Sequence, residues 1–219
     1  MSAPWPPRSD ADDRREAEER LGADLCARFA AVELLVLDVD GVLTGGEMLY
    51  GPGGEALKAF HSRDGLGLTM ARIAGLKRAV LTGRDSAIVA RRCGELRFDC
   101  LKLGRFDKQD ALREILAETG CDAARTLYVG DDLIDLPAMH LVGLAVCVPD
   151  APAEVADFCA WRTTARGGQG AVREVTDLVL KASGRFGLAL TRLGDKAWRP
   201  RPDELTSDVK GGLPPEGVQ

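Results

Sequence analysis

Two aspartates spaced two apart, Asp38 and Asp40, close the apolar run Leu34-Leu35-Val36-Leu37 and lead into Gly41-Val42-Leu43-Thr44. Side chains two apart at the end of a strand share a face, so this spacing sets two carboxylates side by side. Paired acids repel unless a cation or a shared proton lies between them. An Asx turn at Asp40-Gly41 is the plainer explanation of such a pair, and residues elsewhere in the chain decide against it. Thr82 follows the run Lys77 to Leu81, Asp131 and Asp132 follow Thr126 to Gly130, and Lys108 opens a helix-like segment. Parallel strands bring their carboxyl ends to one rim, which is where open α/β folds bind ligands. Carboxylates, a hydroxyl and an ammonium then share one cleft. Such an oxygen-only donor set suits Mg2+, a hard ion held by one or two carboxylates with water and substrate phosphate. A carboxylate at that ion can attack phosphorus, and an acid two residues on can protonate the leaving alkoxide and then deprotonate water. Thr82 and Lys108 can hold the equatorial oxygens. The chemistry expected is phosphoryl transfer to water.

The elements that must position these residues follow from periodicity. Residues 1 to about 10 read as a frayed leader, and Asp10 to Phe29, with Leu21, Leu25 and Phe29 four apart, as one amphipathic helix. After the first strand, Glu47 to Tyr50 and Ala56 to Phe60 flank Gly51-Pro52-Gly53-Gly54 as a β-hairpin. Asp64 to Ala74 is helical, Lys77 to Leu81 a strand, Asp85 to Cys93 a helix with an acidic cap, and Phe98 to Leu103 a strand. Asp107 to Thr119 is a helix stopped by Gly120, Thr126 to Val129 and Gly143 to Val148 are strands, Phe158 to Trp161 is a last short one, and Ala171 to Ala182 closes the body as a helix. This alternation predicts an α/β fold: a Rossmann-like, mostly parallel sheet with helices on both faces and a β-hairpin flap. The intervals Thr44 to Thr82 and Thr82 to Lys108 are too short for a separate cap domain. The expected organisation is a flexible leader and helix start over 1–24, one capless domain over 25–185 and a flexible tail over 186–219.

Composition narrows the class. The 219 residues are 45% hydrophobic, enough for one sizeable core, and the net charge of -5 gives no polyanion a surface to bind. No nucleic-acid partner is expected. The amino terminus lacks a signal-like apolar segment and no stretch suits a membrane span, so a cytoplasmic protein is expected. Cys26, Cys93, Cys100, Cys121, Cys147 and Cys159 form no CxxC pair and read as thiols of a reducing compartment. Two histidines leave little material for a histidine-based metal site or a Ser-His-Asp triad.

Through Asp38-Val39-Asp40-Gly41-Val42-Leu43-Thr44, Thr82-Gly83-Arg84, Lys108 and Gly130-Asp131-Asp132-Leu133-Ile134-Asp135 the chain resembles the haloacid-dehalogenase-like phosphatases. Lys58-Ala59-Phe60-His61-Ser62-Arg63-Asp64-Gly65-Leu66-Gly67 and Gly167-Gly168-Gln169-Gly170-Ala171-Val172-Arg173-Glu174 make it more closely similar to the 3-deoxy-D-manno-octulosonate 8-phosphate phosphatase branch, over about residues 30 to 183. The resemblance implies that Asp38 is nucleophile and metal ligand, that Asp40 is the acid/base and gives the metal its backbone carbonyl, and that Asp131 completes the protein ligands. Asp132 and Asp135 belong to the outer shell, with Asp135 orienting the lysine. It further implies phosphate binding by Thr82, Gly83 and Lys108, and substrate contacts from His61, Ser62, Arg63, Asp64, Gly65, Thr69, Arg84 and Arg92, with Arg92 reaching a neighbouring subunit of a homotetramer. Arg63 suits bidentate capture of a sugar carboxylate. Three positions depart from the family pattern, Gly45, Thr69 and Gln169, each replacing a charged residue, with Arg166 placed to compensate for the last.

The function expected is magnesium-dependent hydrolysis of a phosphorylated 3-deoxy-2-keto sugar acid through an aspartyl phosphate, with the octulosonate 8-phosphate first. N-acylneuraminate 9-phosphate is the rival substrate. A receiver-like module is disfavoured by motif order, and a non-catalytic phosphosugar-binding scaffold by the retained Asp40.

Overall fold

A computed structural model of the chain describes residues 5–194. Eight strands are present among them: β1 (Leu34–Leu37), β2 (Leu49–Gly51), β3 (Gly54–Leu57), β4 (Lys77–Leu81), β5 (Cys100–Lys102), β6 (Thr126–Gly130), β7 (Leu144–Cys147) and β8 (Trp161–Arg162). Six of them form one sheet in the order β5-β4-β1-β6-β7-β8, every pairing parallel, while β2 and β3 pair antiparallel as the flap. The helices are α1 (Asp10–Leu21), α2 (Ala23–Ala30), α3 (Ser62–Ile73), α4 (Ala87–Leu96), α5 (Lys108–Thr119), α6 (Leu136–Met139), α7 (Ala153–Phe158), α8 (Ala171–Ala182) and α9 (Phe186–Gly194).

Strand alternation divides the core in two. Leu35, Leu37, Val80, Leu127 and Val129 face one layer with Phe29 of α2, Leu68 of α3, Val89 of α4 and Val175 and Val179 of α8. Leu34, Val36, Ala79, Leu81 and Tyr128 face the other with Leu112 and Ile115 of α5, Met139 of α6 and Val155 of α7. Both faces of β1 are therefore buried, as a central parallel strand requires. Because Leu37 lies level with Val80 and Val129, the ends of β4, β1 and β6 stop together, and Thr82, Asp38 and Asp131 leave the sheet along one rim.

Several expected elements change. The single helix over Asp10 to Phe29 is two, broken at Gly22, which turns at φ +77°. The first is no leader: Asp13 and Ala17 are buried, and α1 is tied to α8 by ion pairs of Glu16 with Lys181 and of Arg20 with Glu174. Ser86, not Asp85, caps α4 through its side chain, and Phe158 ends a helix where a strand was expected. Residues 186–194 form α9, packed on Met70, Ile73 and Leu180, so the expected tail begins as structure. The rest of the tail, and residues 1–4, lie outside the described residues.

The glycine-rich segment before α8 braces the loop after β1. Gly168 N–H donates to Val42 O at 3.0 Å, and a Cβ on Gly167 would stand 1.7 Å from Gly41 O. Gly167→Ala is expected to cost about 1–3 kcal/mol in urea denaturation, because backbone must move to admit the methyl. Gly53→Ala in the flap turn, with no atom within 4 Å of its Cβ, should stay within about 0.5 kcal/mol of wild type.

Candidate active site

The cleft at the rim has a volume of about 170 Å³ and is walled by Asp38, Asp40, Thr82, Arg84, Phe106, Lys108, Asp131 and Asp132. Asp38 has the strand parity of Leu34 and Val36, which points it toward the α5 layer. Lys108, the first residue of α5, meets it there: its Nζ donates to Asp38 Oδ1 at 2.7 Å and to Asp135 Oδ1 at 2.6 Å. Asp135 Oδ1 also accepts from Tyr128 Oη at 2.8 Å, while its Oδ2 accepts the backbone N–H groups of Asp131 at 3.0 Å and Asp132 at 3.3 Å. Asp132 and Asp135 close a reciprocal capping box over the short turn Leu133–Asp135, which fixes the direction in which Asp131 leaves β6.

One oxygen from each of Asp38, Asp131 and Asp135 lies within 4.8 Å of the others. Asp135 is saturated by its four donors, so Asp38 and Asp131 are the two carboxylates with acceptor capacity to spare. Burial, with Asp135 beside it and against the pull of Lys108, pushes Asp38 up to about 7. Burial together with Asp38 and Asp135 pushes Asp131 up to about 8. Burial alone would lower Lys108, but the Asp38 and Asp135 carboxylates reverse this and raise it. Three carboxylates against one ammonium leave two negative charges when all are ionised, and the donors are hard oxygens. The chemistry of the set fits a divalent cation. Space has been kept for Asp131: a Cβ on Gly41, which sits at φ +96°, would lie 2.0 Å from Asp131 Oδ2.

Asp40 behaves differently from the expectation that alternation aims it alongside Asp38. The strand stops at Leu37, and the N–H groups of Val42, Leu43 and Thr44 all turn back to Val39 O, so Asp40 sits in a turn. It still reaches the cleft, but its carboxylate is outside the three-acid group. Oδ1 pairs with Lys58 of the flap, whose side chain is 1% exposed, and Oδ2 lies 3.7 Å from Arg84 Nε. Lys58 also pairs with Glu55 at 3.2 Å, and Arg84 donates to Tyr50 Oη at 2.7 Å.

The expected substrate residues are scattered over three places. Arg84 alone lines the cleft with Asp38. His61, Asp64, Gly65 and Arg92 line a second cavity between α3 and α4, where His61 Nδ1, Asp64 Oδ2 and Arg92 Nε are buried without a partner. Asp64 is drawn there because its Oδ1 accepts the Arg173 N–H of α8 at 2.7 Å. Arg63 lines a third cavity with Arg20, Gln169 and Arg173, Ser62 is exposed at the start of α3, and Thr69 spends its hydroxyl on Gly65 O of its own helix at 2.9 Å. Thr82 and Gly83 stand at the cleft as expected, Thr82 Oγ1 accepting from Arg84 N–H at 3.4 Å. Sequence reasoning missed Lys58, Tyr128, Tyr50 and Phe106. The chain has two tyrosines and both end here, one of them interrupting the apolar strand β6, which was the available signal.

A family model for haloacid dehalogenase-like hydrolases matches residues 103–174, from the loop after β5 through the start of α8. The 3-deoxy-D-manno-octulosonate 8-phosphate phosphatase KdsC of Haemophilus influenzae is 40% identical over 163 residues, 74% of this chain and 91% of that protein. The chain belongs to this phosphatase family within the haloacid dehalogenase-like hydrolases. It is a phosphoric monoester hydrolase by that membership. The cobalt-bound Haemophilus influenzae enzyme superposes with a TM-score of 0.71 at 40% identity, covering 73% of this chain and 93% of the other. The Moraxella catarrhalis phosphatase in complex with a magnesium ion, a phosphate ion and KDO does so with 0.74 at 36% identity, covering 78% and 98%. No helix among the described residues is long and apolar enough to cross a membrane.

The raised carboxylates set a pH signature. Their folded pKa values lie above the ordinary 3.8, so the pair's stabilising contribution is complete below about pH 4 and is lost as pH rises through about 7 and 8. In metal-free buffer, Asp131→Asn should therefore gain on wild type by about 1–3 kcal/mol between pH 6 and 9 in chemical denaturation, and a pH-independent difference would contradict the assignment.

Proposed function

We propose that this phosphatase hydrolyses 3-deoxy-D-manno-octulosonate 8-phosphate with Mg2+ as its cation. The observation that carries the reading is the separation of two acids in one cleft: Asp38 beside Lys108 and Asp131, and Asp40 held apart by Lys58 and Arg84. Asp38, Asp131 and the Asp40 backbone carbonyl would hold the ion, which supplies charge neutralisation and orients a phosphate oxygen. Thr82, Gly83 and Lys108 bind the remaining phosphoryl oxygens. One Asp38 oxygen attacks phosphorus and the ester P–O bond breaks, while Asp40 gives its proton to the departing alkoxide. Water then enters, Asp40 takes its proton, and the aspartyl P–O bond breaks to release phosphate and restore Asp38. Lys58 and Arg84 hold the Asp40 carboxylate toward the leaving oxygen.

The sugar-acid assignment is supported by the KDO bound in the Moraxella catarrhalis relative. Arg84 is the guanidinium that lines the cleft, and its Nε makes no hydrogen bond there, which leaves it a donor for a substrate anion. Phosphate release should be measured with magnesium over a panel containing the octulosonate 8-phosphate, N-acylneuraminate 9-phosphate and glucose 6-phosphate. The eight-carbon ester is expected to give the highest kcat/KM, and Asp38→Asn to lower kcat at least about 10³-fold. A clear preference for the nine-carbon ester would reject the substrate, and turnover by Asp38→Asn would reject the mechanism.

A further inference from the structure

The loop Leu103 to Asp107 carries an aromatic ring to the mouth of the cleft and gives it almost no cover. Phe106 is 73% exposed, more than any other large apolar side chain described, yet it stands on the same wall as Asp38, Thr82 and Lys108. Its ring edge rests on Gly83, where a Cβ would lie 3.4 to 3.7 Å from three ring carbons. The backbone on both sides is pinned. Arg105 N–H donates to Thr82 O at 3.0 Å, its guanidinium bonds Asp107 at 2.7 and 2.8 Å and Glu114 at 2.8 and 2.9 Å, and Lys108 is anchored between Asp38 and Asp135. The backbone that carries the ring is thus held by its neighbours, and the ring itself leans on Gly83 with most of its surface open.

Phe106 and the half-buried Ile134 are the large apolar side chains of that wall; the other side chains there are charged or polar and suit a phosphoryl group and its cation. An exposed phenyl beside a charged site leaves carbon surface to be covered by whatever occupies the cleft, and an aromatic face pairs well with the C–H face of a sugar. We propose that Phe106 is a specificity-determining residue that packs on the carbon skeleton of the leaving group, favouring esters of large polyhydroxy alcohols over small phosphorylated anions. The inference rests on the phosphatase reading of the cleft and adds to it the side of the cleft on which the leaving group lies.

The test compares full-length wild type, Phe106→Ala and Phe106→Tyr with magnesium, using the best sugar-acid ester of the panel and acetyl phosphate, which has no such carbon face. Phe106→Ala should raise KM for the sugar ester about five- to tenfold with kcat within about twofold, leave KM for acetyl phosphate within about twofold, and keep the wild-type mass in solution. Phe106→Tyr should restore the wild-type KM. An unchanged sugar-ester KM, an equal rise for acetyl phosphate, or a smaller assembly in Phe106→Ala would each overturn the role. If wild type releases phosphate from neither compound, the reading of the cleft fails first. Normal wild-type turnover with an indifferent Phe106→Ala sinks this inference alone.

Discussion

The buried ammonium of Lys108 between Asp38 and Asp135 is the interaction on which the rest of this site depends. It joins the end of β1 to the turn after β6 through the first residue of α5. Removing Lys108 would strand Asp38 and Asp135 in the interior without a counter-charge, which is strongly unfavourable, whereas the intact set still carries more negative charge than one lysine can balance. The surplus is not a defect of packing. It leaves Asp38 and Asp131 with raised proton affinity and open oxygens, the condition under which a hard divalent ion binds in place of protons.

The second acid of the proposed mechanism lies outside that group. Asp40 belongs to the same short segment as Asp38, but the chain turns on Val39 O before strand geometry can align the two. Lys58 and Arg84 then hold it from the flap and from the loop after β4. In the proposed mechanism, attack on phosphorus and proton delivery to the alkoxide fall to carboxylates with different electrostatic surroundings. In that mechanism the flap would take part in the chemistry, since its buried Lys58 pairs with the acid.

Much of this was legible in the residues. β4 and α8 match their expected bounds, and the Gly120 stop of α5 stands at φ +65°, because apolar runs and glycine stops are local signals. The meeting of Asp38, Thr82, Lys108 and Asp131 was legible for a topological reason, as parallel strands must end on one rim. What failed was governed by packing. Gly22 breaks α1 from α2 so that both can lie on α8, and α9 forms where prolines further along suggested only tail. His61, Asp64 and Arg92 share one cavity and Arg63 lines another, and both are parted from the cleft by the way α3 docks on α8 and α4, which no spacing rule encodes. Lys58 opened a motif of the family resemblance without a role of its own, since only the folded flap brings it to Asp40.

The central claim is that the clustered carboxylates hold protons that a divalent ion replaces. It is tested most directly by calorimetric titration of magnesium into the metal-free protein at pH 7 in buffers of different ionisation enthalpy. The account predicts release of about one proton per ion bound, a count that falls toward zero in Asp131→Asn. Magnesium binding with no proton release in wild type, or release unchanged in Asp131→Asn, would contradict it.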